Sequence, residues 1–144
     1  MRSNSKLVVG AMSVNTSGIS TLTAEFDTKG FSFARIFAIA ETTVAAHTTP
    51  SNIAITESDT SGSGFAAIAG FVNGTDYTPS TTTVALANAK MMFNIDLRGR
   101  KRYLKALVGT AATASTISLI ADLSNPADGV SSAAEAGAGN IVGL

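Results

Sequence analysis

The residues with the clearest capacity to bind a partner are five cations gathered in one short stretch, namely Arg98, Arg100, Lys101, Arg102 and Lys105. Cations at this density suit either the phosphates of a nucleic acid or an acidic protein surface. The chain as a whole, however, balances ten basic with ten acidic residues. Because a neutral chain lacks the broad positive field of nucleic-acid-binding domains, and only Tyr103 stands nearby to stack on a base, docking against a protein is favoured.

Residues for catalysis or metal binding are sparse. His47 is the only histidine and has no acid beside it, so it is interpreted as an ordinary loop residue. Glu57 and Asp59 lack the ligand spacing of a calcium loop, and the glycine-rich run 61–64 lacks the Gly-Lys-Ser/Thr ending of a phosphate loop. The sequence therefore predicts no catalytic residue, metal site or cofactor, and a binding or structural protein instead of an enzyme.

The cations are predicted to lie at and beside the tip of a β-hairpin, four of them in its turn and Lys105 in its second strand. Apolar and polar residues alternate from Phe93 to Leu97, which is the period of a strand with one buried face. A second strand-like run, Tyr103 to Val108, follows after a turn that contains Gly99. Asp96 is expected to form a local salt bridge with this basic turn.

The rest of the chain predicts an all-β fold. Charged residues make up 14% of the chain, against about 25% in an ordinary domain. Short apolar runs separated by turn residues predict eight to ten strands in a sandwich or a barrel. Of these, the fold class assigned is a single-domain antiparallel β-sandwich of jelly-roll or Ig-like type. Residues 6–124 are assigned to this sandwich, 1–5 to a flexible N-terminal arm and 125–144 to an extended C-terminal arm. In the tail, 131–136 could instead begin a short helix.

Several local patterns give further expectations. The strand from Phe31 to Ala40 is apolar on both faces, which predicts that one face lies in the core and the other against a neighbouring subunit. Zero net charge also favours self-association. Asn73-Gly74 is the strongest short signal for a hairpin turn. With no apolar run of 18 residues and no signal peptide recognised, the protein is expected to be made in a cytosol and to have no membrane partner.

Three stretches of the chain resemble small structural proteins of tailed bacteriophages, in the same order. They are Asp27–Phe31, Glu57–Asp59 and, above all, Asp96–Lys105. Some members of this group are decoration, or cement, proteins on the outside of the capsid. The resemblance implies a β-sandwich that assembles as homotrimers over threefold positions of the shell and fastens neighbouring capsomers. It brings no catalytic residues.

The resemblance gives the functional expectation. The protein is predicted to be a non-enzymatic virion protein, made in the host cytoplasm, that binds the major capsid protein on the capsid surface and stabilises the shell. Its partners would be itself and the capsid protein, with the five cations in the contact. Two alternatives stay open: a tail, neck or receptor-binding structural protein, and, less favoured, a nucleic-acid-binding module that uses the basic turn.

Overall fold

The computed structural model describes residues 5–15, 21–41, 51–78, 89–109, 115–125 and 140–142. Nine strands lie in these ranges, and they form two stacked sheets. The predicted all-β sandwich is thus confirmed. In chain order the strands are β1 (Ser5–Asn15), β2 (Thr21–Asp27), β3 (Phe33–Glu41), β4 (Ser51–Ser58), β5 (Ala66–Val72), β6 (Ala89–Asp96), β7 (Tyr103–Gly109), β8 (Ser115–Ser124) and β9 (Asn140–Val142).

The first eight strands are paired like a long ribbon folded back on itself. β1 pairs with β8, β2 with β7, β3 with β6 and β4 with β5, each pair antiparallel. Two further antiparallel pairings, β3 with β8 and β4 with β7, join the ribbon segments into sheets. Sheet A has the order β1-β8-β3-β6-β9, and sheet B the order β2-β7-β4-β5. Of the two sandwich types that the sequence predicted, this order is the jelly roll.

Alternating side chains form the core between the sheets. In β8, every second residue from Ile117 to Leu123 is buried, which is the alternation of a strand with one face in the core. In β3, the small residues Ala34 and Ala38 flank Ile36 on the buried face, while the larger phenylalanines lie on the opposite face. Small side chains in the centre of a sheet let the two sheets lie close together. Larger side chains around them fill the remaining space in the core. The largest fully buried side chains include those of Phe26 and Phe93.

The predicted hairpin between Phe93–Leu97 and Tyr103–Val108 is wrong. β6 lies in sheet A beside β3, whereas β7 lies in sheet B between β2 and β4. The chain does turn at Gly99, with a φ of +78° that suits glycine, but residues 97–102 then cross from one sheet to the other. Alternation reveals that a strand has a buried face and not which sheet it joins. Both runs bury one face in the same core from opposite sides.

The hairpin predicted at Asn73-Gly74 is also wrong, because in the described range 73–78 the chain does not return as a strand antiparallel to β5. Gly74 N donates to the carbonyl of Tyr77 (2.8 Å), so the chain closes a small loop after β5. One carboxylate oxygen of Asp76 accepts hydrogen bonds from Gly70 N (2.8 Å) and Val72 N (2.9 Å). An Asn-Gly pair thus forms a turn here, and an Asp side chain bonding nearby backbone amides holds it.

Part of the predicted C-terminal arm is a strand. β9 pairs in parallel with β6 at the edge of sheet A, with Ile141 opposite Met92. The two arms as wholes stay predictions. His47 and the helix considered at 131–136 lie outside the described residues.

Gly10 offers a direct test of the packing between β1 and the core. It lies where the register of β1 on β8 shifts, between Val9 and Ala11. A Cβ atom at this position would stand 2.5 Å from the ring of Phe26 and 2.6 Å from the Cβ of Ala24, both buried. Gly10→Ala should therefore lower the free energy of unfolding by about 1–3 kcal/mol, measured by urea denaturation.

Ala67→Val is the matched control, since it adds methyl groups at an exposed strand position and should change stability by less than about 0.5 kcal/mol. Equal stability of Gly10→Ala and the wild type would contradict the close approach of β1 to Phe26.

Candidate binding surface at one end of the sandwich

Three described loops meet at one end of the sandwich, which we call the loop end. They are 28–32 between β2 and β3, 59–65 between β4 and β5, and 97–102 between β6 and β7. The strand register brings them together, because Tyr103 at the start of β7 is opposite both Asp27 and Ser58. The five predicted binding residues lie at this end or just beyond it. The jelly-roll pairing therefore positions the candidate site.

Arg102 is joined to the end of β2 by a two-pronged ion pair. Its Nε and Nη2 atoms lie 2.9 and 2.7 Å from the two carboxylate oxygens of Asp27. Hydrogen bonding to Arg102 lowers the pKa of Asp27 from its ordinary 3.8 to about 2, against an opposing effect of burial. The guanidinium also lies 4.9 Å from the ring centroid of Tyr103. Its position and orientation are thus fixed by neighbours.

Arg100 and Lys101 share an acidic partner on β4. Nη1 of Arg100 lies 3.5 Å from Oε1 of Glu57, and the backbone N of Lys101 donates to Oε2 (3.1 Å). In the register of β4 on β7, Glu57 lies opposite the buried Leu104, and only 16% of the Glu57 side chain is exposed. A carboxylate in this position fastens the crossing loop 97–102 to sheet B. The Lys101 side chain is exposed and, among the described residues, has no ion-pair partner.

Arg98 folds back onto the end of β6. Its side chain makes a two-pronged contact with Asp96, with Nη2 2.6 Å from Oδ2, and its backbone N donates to Oδ1 (3.0 Å). Hydrogen bonding to Arg98 lowers the pKa of Asp96 to about 2. This is the local salt bridge that the sequence predicted. Because both side chains are mostly exposed, the pair sets the direction of Arg98 more than it stabilises the fold.

Lys105 lies apart from the other four cations, on the outer face of sheet B. Its Nζ is 3.7 Å from the ring centroid of Phe65, a cation–π contact. In β2, directly opposite Lys105, Glu25 accepts hydrogen bonds from the Ser61 hydroxyl (2.7 Å) and the Gly62 amide. These contacts hold loop 59–65 against the sheet. The glycine-rich run 61–64, which lacks the ending of a phosphate loop, thus binds the carboxylate of Glu25.

Hydrogen bonds from backbone and side-chain atoms join the loops at the loop end. Thr28 donates both its amide (3.0 Å) and its hydroxyl (2.6 Å) to the carbonyl of Arg102. Leu97 N donates to the carbonyl of Ser32 (2.9 Å), and Ser32 N donates to the side chain of Asn125 at the end of β8 (2.7 Å). Both sheets are therefore joined across this end.

The loop end presents a balanced mixture of charges. Three of its arginines are each matched to an acid from a different strand, at Asp27, Glu57 and Asp96. Such a surface offers ion pairs and hydrogen bonds of both signs in fixed positions. It is suited to a partner with a complementary pattern and poorly suited to a uniform polyanion, which would have to compete with three internal carboxylates.

The described residues contain no group of three His, Cys, Asp or Glu side chains arranged to hold a metal ion. Within the same ranges there is no helix with the length and apolar character needed to cross a bilayer.

Sequence reasoning found the cations and one of their three acidic partners. It connected Asp96 with the cluster because the two are adjacent. It considered Glu57 only as a calcium ligand and did not connect Asp27 with Arg102, since 75 residues separate them. The signal available was the composition. The chain has as many acidic as basic residues, and because its cations are clustered, ion pairs within the chain were to be expected.

Comparison of the chain with protein-family models, with curated protein sequences and with solved structures found no match.

The Asp27–Arg102 pair predicts a pH dependence of stability. Asp27→Asn should lower the free energy of unfolding near pH 7 by less than about 1 kcal/mol, because the pair is partly exposed and screened by solvent. Since the folded-state pKa is lowered, the contribution is complete above about pH 4 and is lost as the pH falls through about 2. Urea denaturation should show the gap between variant and wild type closing over this range.

A double-mutant cycle supplies the control. In an Arg102→Gln background, Asp27→Asn should have a much smaller effect, because the carboxylate keeps only the hydrogen bond from Lys29 N to Oδ1, which the Asn side-chain oxygen can also accept. A gap of unchanged size in that background would mean that Asp27 acts through some other contact.

Proposed function

We propose that this protein is a non-enzymatic decoration protein of a tailed-bacteriophage capsid, which binds the outside of the shell as a homotrimer and stabilises it. The resemblance of 27–31, 57–59 and 96–105 to phage structural proteins supports the proposal. All three stretches contribute to the ion pairs of the loop end. The part of the chain that resembles phage proteins and the part that is best organised for contact are therefore the same.

The observation that carries the proposal is the matching of each loop-end arginine to an internal carboxylate. A guanidinium already held by two oxygens, as in Arg102–Asp27, gains little from a phosphate, because the existing pair must first be broken. The donors of Arg102 and the acceptors of Asp27 that the pair does not use stay available to a folded protein surface. This favours a protein partner, such as the major capsid protein, over nucleic acid.

Repetition would supply the strength of binding. Contacts between exposed charges are individually weak, about 1 kcal/mol or less. A trimer over a threefold position engages three copies of the contact at once, and linked contacts raise the total affinity without any single strong site. A rigid jelly roll suits this role, since a preorganised surface loses little conformational entropy on binding.

Lys101→Glu tests the contact at the loop end. Lys101 has an exposed side chain outside the three ion pairs, so the variant should fold as the wild type does. Its binding to capsids that were purified from the source phage without this protein should weaken by roughly fivefold per chain, in line with one lost charged contact. Sedimentation of fluorescently labelled protein with the capsids measures this.

Thr21→Glu/Thr23→Glu is the control, because it makes the same change in net charge at exposed positions on the outer face of sheet B. It should bind as the wild type does. If Lys101→Glu binds normally, the loop end is not the capsid contact. If the wild type ignores capsids but binds nucleic acid in low salt on a filter, the decoration function itself is wrong.

A further inference from the structure

We infer that the outer face of sheet A, over β1 and β8, is the surface through which this chain packs against a second copy of itself. The inference deepens the proposed function, which requires self-association, and rests on it only for the number of copies. The surface is made of two adjoining rows that run across the strands. One row contains Val9, Ile120, Phe37 and Met92, and the other contains Leu7, Asp122, Arg35 and Asn94.

The outer faces of the two sheets differ in character. On sheet B the described outward residues are largely polar or small, as in Thr23, Lys105 and Thr56. On sheet A one of the two rows is apolar from end to end. A sheet with one solvated face normally alternates apolar and polar residues, as sheet B does. Sheet A instead has side chains suited to burial on both sides.

Exposure on the outer face of sheet A falls from one edge towards the other. Leu7 is 70% and Val9 60% exposed on β1, and they are the large hydrophobic side chains left exposed among the described residues. Ile120 and Phe37 are partly buried, and Met92, on the outer side of β6, is fully buried. Within one chain, the outer face of sheet A is therefore buried at β6 and exposed at β1. The exposed part, at β1, is an apolar patch of the kind that marks a protein contact surface.

The charges on this face favour a copy of the chain as that partner. Arg35 and Asp122 form an ion pair of 2.9 Å between β3 and β8, so the face carries a positive and a negative group side by side. In a closed ring of identical chains, Arg35 of one copy can face Asp122 of the next. A partner surface that is only acidic or only basic would instead repel one of the two groups. The balanced net charge of the chain removes long-range repulsion between copies.

Leu7→Lys/Val9→Lys tests the inference on the full chain. Size-exclusion chromatography with light scattering should give the wild type an assembled mass, three times the chain mass of 14.6 kDa if the proposed trimer is right. The variant should be monomeric at the same concentrations, because it places two charges in the apolar contact. Thr21→Lys/Thr23→Lys adds the same charge on the outer face of sheet B and should assemble as the wild type does.

Leu7→Ser/Val9→Ser provides a milder change in case the lysine variant does not fold, as judged by circular dichroism. It should raise the concentration for half-assembly at least tenfold. A monomeric wild type, or lysine and serine variants that assemble normally, would overturn the inference.

Chemical labelling identifies the occupant of the patch. The chain has no cysteine, so Val9→Cys introduces a single thiol. This thiol should react fast with a maleimide in dilute, dissociated protein and slowly in assembled protein. Protection that does not depend on concentration would mean that the chain covers the patch itself, which also overturns the inference. Capsid binding plays no part in these measurements, so failure of the decoration function would be seen separately.

Discussion

The burial of two apolar strand faces against one another is the constraint on which the rest of this structure depends. With no helix among the described residues and no disulfide possible, each sheet has to cover the other. The ribbon pairing meets this need, because successive two-stranded segments of the ribbon alternate between sheet A and sheet B. Small side chains such as Ala34, Ala106 and Ala121 keep the layers close around Phe26 and Phe93.

The loop end follows from that pairing. Residues far apart in sequence, such as Asp27 and Arg102, become neighbours only because β2 and β7 are antiparallel and in register up to Asp27 and Tyr103. The crossing loop 97–102 is then held from both sheets, by Glu57 on one side and by Ser32 on the other. The outcome is a surface whose charges are fixed by the fold, on a chain whose opposite charges are equal in number.

The sequence was most informative where side-chain alternation alone decides the structure. The buried faces of β3 and β8 follow from residues two apart. It was misleading at the 97–102 turn, since a glycine turn between two amphipathic strands has the same local pattern whether the strands pair or separate into different sheets. The same limit applies to the ion pairs: Asp96–Arg98 is local and was predicted, whereas Asp27–Arg102 depends on strand register. The two apolar faces of β3 predicted one face in the core and the other against a neighbouring subunit. The structure places Ile36 in the core and Phe37 on the outer face, and the contact with a neighbour stays a prediction.

The structure has two surfaces that the proposals assign to contacts, the loop end, which is balanced in charge, and the apolar outer face of sheet A. The proposed capsid function brings these two surfaces into a single account, in which one faces the shell and the other faces sister copies. Electron cryomicroscopy of the source virion tests that account most directly. It predicts jelly-roll density at equivalent positions across the outside of the capsid, with loop 97–102 against the shell and β1 towards a symmetry copy. Density confined to the tail or neck, or jelly rolls whose loop end points into solvent, would contradict it.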